Sequence, residues 1–492
     1  MAIEMGPISV FVSIAASLML VRYLLKNLNW WLYESKLGAK QYSLPPGDFG
    51  WPLIGNMWSF LRAFKSTNPN SFADSYIARY GKTGIYKVLM FGNPSVIVTT
   101  AEGCKKVLTD DDKFTPGWPV ATAELMGKKS FVSIPYEDHK RLRRLTSASV
   151  NGYEALSIYI PFIEENVKAS LENWTKMGEI EFLTEMRKLT FKIIMHIFFG
   201  ATSATIREGL EKEYTALNHG IRAMRINIPG FAFHRALQAR KNLVSIFQSV
   251  VDQRRIERKG RAPGTGKKHK DMMDALMDAV DENGKSLGDD DIIDIMLMYL
   301  NAGHESSGHI TMWAAYYLNK HPEYLQKARE EQEEILKKRP PTQKGLILEE
   351  VRKMEFLSKV VDETLRLVTF SPMVFREAKS DVNINGYLIP KGWKVMTWFR
   401  HVHHDNDIYP NPMEFNPYRW NIPHKAGEFL PFGAGTRLCP GNDLAKIEIS
   451  VFLHYFVMNY KLEPSNPNCP IRHLPHTRPT DNCLARIKKI SA

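Results

Sequence analysis

The chain has 492 residues and carries 65 Lys and Arg against 53 Asp and Glu, a formal charge of +12 with a pI of about 9.2. Apolar residues make up 44% and charged residues 24%, which excludes a disordered chain, a collagen-like chain and a polytopic membrane protein. Four cysteines, Cys104, Cys439, Cys469 and Cys483, are too sparse for a disulfide scaffold and point to a reducing compartment. The basic excess fits nucleic acid, an anionic membrane surface or an acidic partner, and composition does not choose among them.

An uncharged, mostly apolar run, Met5 to Val21, lies between Glu4 and Arg22 and continues through Leu24 and Leu25 to Trp30, Trp31 and Tyr33. It reaches the ~20 apolar residues that a bilayer core requires if Arg22 snorkels, with the aromatics at headgroup level. The first charge is acidic and no small-residue cleavage pattern follows, so an uncleaved anchor is predicted rather than a signal peptide. A buried or interfacial helix is the other reading of the run. Arg22, Lys26, Lys36 and Lys40 follow it, which places the remainder in the cytosol. Consecutive prolines in Leu44-Pro45-Pro46-Gly47-Asp48 forbid helix and predict an extended hinge. The predicted organisation is an anchor over residues 5–25, a juxtamembrane segment and hinge over 26–50, and one large domain over 51–492.

Beyond residue 50, apolar periodicity predicts helices over residues 70–80, 102–108, 137–150, 154–177, 182–200, 206–219, 234–259, 272–280, 290–319, 322–338 and 348–368. Strand patterning clusters at 84–100 and 382–398, the second containing an Asn385-Gly386 hairpin turn. The basic, glycine-rich run 257–270 reads as a surface loop without the interleaved aromatics of a nucleic-acid site. Residues 407–425 are rich in Pro and Asn and lack periodicity, and a stretch of that length inside a domain usually has a function.

The segment Phe432-Gly433-Ala434-Gly435-Thr436-Arg437-Leu438-Cys439-Pro440-Gly441 puts two glycines before a cysteine and a helix start after it. Glycines permit a tight turn against a flat object, and the amides of a helix N-terminus favour a thiolate. A lone cysteine in such a turn is also compatible with simple burial. Phe432, Gly435, Arg437, Cys439 and Gly441 match the haem-binding loop of cytochromes P450, and three further segments agree in order. The chain therefore resembles that family along essentially its whole length. The resemblance implies a mainly α fold with small β-sheets, preceded here by the transmembrane helix. It also implies haem b, with Cys439 as axial iron ligand.

Further roles follow from the resemblance alone. Ala302-Gly303-His304-Glu305-Ser306, within a long helix, matches the segment over the distal haem face. Ala302 and Gly303 would leave room for oxygen, and Glu305 and Ser306 would relay protons, with Ser where the family more often has Thr. Glu363 and Arg366, three apart on a helix, would form with Arg419 a buried structural trio rather than the exposed pair such spacing usually gives. His139 and Arg143 match a Trp–Arg pair that reaches a haem propionate, with His replacing Trp. Arg376 and Arg437 are further propionate candidates. The implied activity is that of an endoplasmic-reticulum monooxygenase using molecular oxygen and electrons from NADPH through NADPH–cytochrome P450 reductase. Phrases such as LTDDDKFTPGWP, NIPGFAFHRAL and LPHTRPTDNCLARI resemble plant oxidases that convert a diterpenoid acid in gibberellin biosynthesis. A triterpene oxidase of the beta-amyrin type, a haem-thiolate isomerase and a non-catalytic haem carrier or sensor are the competing readings.

For an apolar acid, residues after 119, 226–233 and 369–374 are candidates to line the pocket. Arg222 or Arg225 is a candidate for its carboxylate, although a solvent-facing pair explains them as well. Lys140, Arg141, Arg144 and Lys446 are candidates for a reductase-docking face. His401, His403 and His404 lie close together but lack a partner cluster at zinc-ligand spacing. Nucleic acid is not an expected partner.

Overall fold

The computed structural model describes residues 7–52, 54–200, 204–221, 223–259 and 271–490. The chain divides into two compact units, residues Met1–Gly117 with Phe375–Trp398, and Trp118–Val374 with Phe399–Ala492.

The smaller unit begins with the helix Pro7–Tyr33. Its apolar side chains Phe11, Leu18, Met19 and Leu24 are exposed, and it is long and apolar enough to cross a membrane by length and composition. The unit's five-stranded sheet runs in the order Ile85–Met90, Asn93–Val98, Lys394–Thr397, Val374–Ala378, Phe114–Pro116. The first two strands form the hairpin expected from residues 84–100, and Asn93–Val98 pairs in parallel with Lys394–Thr397. Asn385 and Gly386 both take positive φ, 51° and 84°, as a two-residue hairpin turn requires. The proline-rich segment is pinned to this unit: Lys87 N–H donates to Pro46 O, and Asp48 accepts from Asn56, Arg79 and Tyr80.

The larger unit is built around the long helix Asp289–Lys320, which is buried along most of its length. Packed against it are Phe182–Phe199, Glu355–Val368 and Asn442–Asn459. A three-stranded sheet of Glu179–Glu181, Leu484–Lys489 and Tyr460–Pro464 closes this unit's C-terminal end.

Most predicted helices form within a residue or two of their expected ends, and one does not. Residues 348–368 divide into Leu348–Arg352 and Glu355–Val368. The physical reason is the Glu331 carboxylate, which accepts the N–H groups of Phe356 and Leu357. Capping a new helix N-terminus there removes any need for the helix to run through. The expected loop at 257–270 starts later, because Ala232–Lys259 is helical to its end; its remainder lies outside the described residues.

Candidate active site

The Cys439 loop is shaped by the conformations its glycines permit. Gly433 and Gly435 have φ of 76° and 72°, values that L side chains adopt only with strain. A 3-10 turn, Gly435–Arg437, follows, and the Cys439 N–H donates to Phe432 O at 2.9 Å, closing the loop. The helix Asn442–Asn459 starts immediately after, so its unsatisfied N–H groups and dipole lie at the cysteine. Burial pushes the thiol pKa up, against the Gly441 N–H and the charge of Arg143. Iron coordination would overcome such a rise, since a bound metal takes the thiolate.

The helix Tyr136–Asn151 holds the other side of the loop. Asn151 Nδ2 donates to Pro440 O and, at 3.2 Å, to Asn442 Oδ1. Arg437 donates to Phe131 O at 3.0 Å and Ile134 O at 3.1 Å, just ahead of that helix. His139 is buried and packs edge-on to Phe131, with ring centroids 5.2 Å apart. Arg143 lies one turn further on and is half-buried. Its charge acts on both Cys439 and Tyr299 of the long helix. The expected set His139, Arg143, Arg437 and Cys439 is therefore gathered in one region. Arg376 belongs to the smaller unit, where it is buried in the strand Val374–Ala378.

The long helix is buried from Ile292 to Leu300 and again from Ser307 to Ala315, yet Ala302 is exposed and Gly303 and Ser306 are half-exposed. The loop Phe432–Pro440 is likewise incompletely buried, although Leu430 and Leu444 beside it are. Small side chains on a helix and a glycine-bounded thiol loop, both left unpacked within a close-packed unit, together with nearby cationic donors, are the fittings a flat anionic macrocycle requires. The residues present fit a haem.

Glu305 and Ser306 are adjacent but serve different partners. Ser306 Oγ donates back to Ala302 O at 2.9 Å. The Glu305 carboxylate is buried and ion-paired with Arg187 of Phe182–Phe199. Burial alone would raise its pKa, but Arg187 and the imidazoles of His309 and His304 bring it below the ordinary value. Gly303 also has a packing role: a Cβ there would lie 3.2 Å from Ile194 Cδ1.

Glu363, Arg366 and Arg419 form one network. Arg366, fully buried, makes a two-pronged bond to Glu363 at 2.8 and 2.9 Å and donates to His403 O and Pro412 O. Glu363 also accepts from Arg419 Nε, Trp420 Nε1 and the Asn416 N–H. The irregular stretch 407–425 is thus held from within by a charge pair with nearly all its hydrogen-bonding capacity used.

Sequence reasoning missed several positioning residues. His403 bonds Thr369 Oγ1 through Nδ1 at 3.0 Å and accepts the Leu430 N–H at Nε2 at 2.9 Å. It ties the end of Glu355–Val368 to the start of the cysteine loop. Burial and the charges of Arg366 and Arg400 push its pKa down to about 3, so it acts as a neutral clamp. Among the described residues, no grouping of three or more His, Cys, Asp or Glu could hold a metal ion. Glu448, on the helix after Cys439, is buried beside the Ser307 hydroxyl, and burial pushes its pKa up to about 8.

Of the proposed carboxylate ligands, Arg225 pairs with Glu124 at 2.7 Å on the surface, and Arg222 lies outside the described residues. Three of the four expected docking cations are also paired within the chain: Arg141 with Asp281, Arg144 with Glu282, and Lys446 with Asp362.

A sequence model of the cytochrome P450 family matches residues 45–484. Ent-kaurenoic acid oxidase 1 of Arabidopsis thaliana is 63% identical over 470 residues, 95% of each chain. Ent-kaurenoic acid oxidase of Oryza sativa subsp. japonica is 54% identical over 97% of this chain and 95% of its own. A 7,8-epoxymelianol synthase of Citrus sinensis is 52% identical over 96% and 97%. The solved structure of retinoic acid-bound cyanobacterial CYP120A1 superposes with a TM-score of 0.81 at 26% identity, covering 92% of this chain and all of that one.

Proposed function

Because the chain belongs to the cytochrome P450 family, we propose that it is a membrane-anchored haem-thiolate monooxygenase that oxidises ent-kaurenoic acid in successive steps. These are hydroxylation, ring contraction to the aldehyde, and oxidation to gibberellin A-12. The observation that carries the chemistry is the unpacked, glycine-shaped Cys439 loop at a helix N-terminus, in the same unit as a long helix whose small residues Ala302 and Gly303 are also left unpacked. The substrate assignment is supported by identities of 63% and 54%, over nearly the full length, to proteins named ent-kaurenoic acid oxidases.

Haem, when bound, supplies oxygen activation and transfer to an unactivated carbon. Cys439 would hold the metal, its thiolate favoured by the helix N-terminus and the Gly441 N–H. Arg143, Arg437 and His139 would hold the propionates, with Phe432, Gly435, Ala302 and Gly303 framing the ring; Arg376, the fourth candidate from sequence, belongs to the smaller unit. Glu305, ionised at rest, accepts a proton at its carboxylate and Ser306 passes one at Oγ toward the open face of the long helix. Glu363, Arg366 and Arg419 keep the loop's approach rigid. The anchor occupies residues 5–25, the segment 26–50 connects it, and residues 51–492 form the catalytic domain on the cytosolic side of the endoplasmic reticulum. Electrons come from NADPH through its reductase.

The deciding experiment reconstitutes the protein with reductase, NADPH and oxygen and supplies ent-kaurenoic acid. Gibberellin A-12 and its aldehyde precursor are the expected products. NADPH-dependent oxygen consumption without them, but with product from a triterpene of the beta-amyrin or melianol type, favours the second reading. The 52% identity to the epoxymelianol synthase is the reason to include that arm.

A further inference from the structure

Around Glu305 the long helix carries a second histidine whose bonding is incomplete. His309, one turn after Glu305 and 1% exposed, bonds Glu305 O through Nδ1 at 2.7 Å, and the same nitrogen lies 3.5 Å from Glu305 Oε2. Its Nε2 is buried and has no hydrogen-bond partner. An unsatisfied imidazole nitrogen in a close-packed interior carries a desolvation cost, so a purely structural histidine is a poor account of this position. Beside His309 stands His476, with ring centroids 5.2 Å apart and planes tilted by 58°; its Nδ1 lies 3.4 Å from Phe370 O. His476 is half-buried and stacked on Phe370 at 3.8 Å. Two imidazoles and a carboxylate therefore run in sequence from a partly solvated hairpin segment to the acid beside Ser306.

The geometry points to His476 and His309 as a proton entry to Glu305, with His309 a positioning and proton-carrying residue that acts through the carboxylate. A solvent proton taken by His476 passes to His309 Nε2. The Nδ1 proton, until then donated to Glu305 O, moves to Glu305 Oε2, which becomes a carboxylic acid and loosens from Arg187. His309 is left as the neutral Nε2–H tautomer. One proton enters and one is delivered, with no change in redox state. The inference rests on the monooxygenase reading, since it needs a turnover that consumes protons at this site.

The charged groups facing His309 are Glu305 and His304 on its own helix, Arg187 on Phe182–Phe199, and His476 and Arg478 on the C-terminal hairpin segment. Burial pushes its pKa down to about 4, opposed by Glu305 and reinforced by Arg187 and Arg478. At pH 7 about one molecule in a thousand carries the extra proton, which suits a transient carrier and not a store.

Two measurements on the full-length holoenzyme test this. Histidine C2–H exchange followed by mass spectrometry gives the His309 titration midpoint without turnover. Glu305→Gln is expected to lower it by at least about half a pH unit; an unmoved midpoint refutes the link. In the reconstituted reaction, His309→Asn keeps a donor to Glu305 O but carries no proton, and His476→Gln interrupts the chain near the surface. Each is expected to lower product formed per NADPH consumed about tenfold, more at alkaline pH, with substrate affinity unchanged. Wild-type coupling across pH 6 to 9 in both variants overturns the proposal. If the wild-type enzyme makes nothing from kaurenoic acid, the substrate reading fails, while the midpoint shift still decides the His309–Glu305 link.

Discussion

Glu448→Gln replaces a buried acid by a neutral group of equal length where the helix Asn442–Asn459 packs against the long helix. The carboxyl stays protonated in the folded protein because burial holds its pKa at about 8, a rise that the Ser307 hydroxyl opposes. The unfolded chain ionises near the ordinary 4.5. Folding therefore binds a proton, and stability contributed by this group is fully present below pH 4.5 and lost as pH rises toward 8. Between pH 4.5 and 7 the loss is about 3 kcal/mol, at about 1.4 kcal/mol per pH unit. With an unfolding entropy of ~2.1 cal/mol/K per residue over the chain, that corresponds to ~3 °C in Tm. Glutamine is neutral in both states and removes the slope. Melting curves of holoenzyme and variant should nearly coincide at pH 5, differ by about 3 °C in favour of the variant at pH 7, and differ further at pH 8. Other titrating groups are common to both proteins and cancel in the difference. A difference that is constant with pH, or that favours the wild type at pH 8, refutes the burial argument.

Cys439→Ser should abolish the thiolate signature of the reduced carbon monoxide complex, while Ser at Cys104, Cys469 or Cys483 leaves it intact; difference spectra decide. Arg366→Lys keeps the charge but loses the fork to Glu363 and the bonds to His403 O and Pro412 O, so about 3–5 kcal/mol of stability and most haem retention should go, read by denaturant melts and haem-to-protein ratio. Arg187→Met leaves Glu305 without its ion-pair partner. Glu305 is depressed in the folded state, so its stabilisation is present above its ordinary pKa and lost as pH falls through the folded one. The wild type should therefore exceed Arg187→Met in Tm at pH 7, with the gap narrowing toward pH 4.

What sequence showed and what it hid differ by range. The Cys439 loop was legible because its chemistry constrains neighbouring residues: two positive-φ positions, a thiol and a helix start within ten residues. The Asn385-Gly386 turn was legible for the same reason. The Glu363–Arg366 pair could be read from helix spacing, but its burial could not, since that depends on Asn416, Arg419 and Trp420 some fifty residues on. The break at Lys353–Met354 was hidden because its cause, Glu331, lies in another helix. The parallel pairing of Asn93–Val98 with Lys394–Thr397 joins strands about 300 residues apart, a separation that local patterning does not address.

Charge carries the same lesson into function. Arg141, Arg144 and Lys446 read from sequence as surplus cations available to an acidic reductase, yet each meets a carboxylate of its own chain. Only the Arg144–Glu282 pair is well exposed and so worth little in stability, but all three pairs cancel the field that would steer a partner. Net charge therefore overstates what this face offers to long-range attraction. Arg187 makes the complementary point: it is one basic residue among 65 in composition, and the structure commits it to the acid of the proposed proton relay. A count of charges bounds the classes of partner, whereas the role of each charge is settled by the carboxylate it reaches.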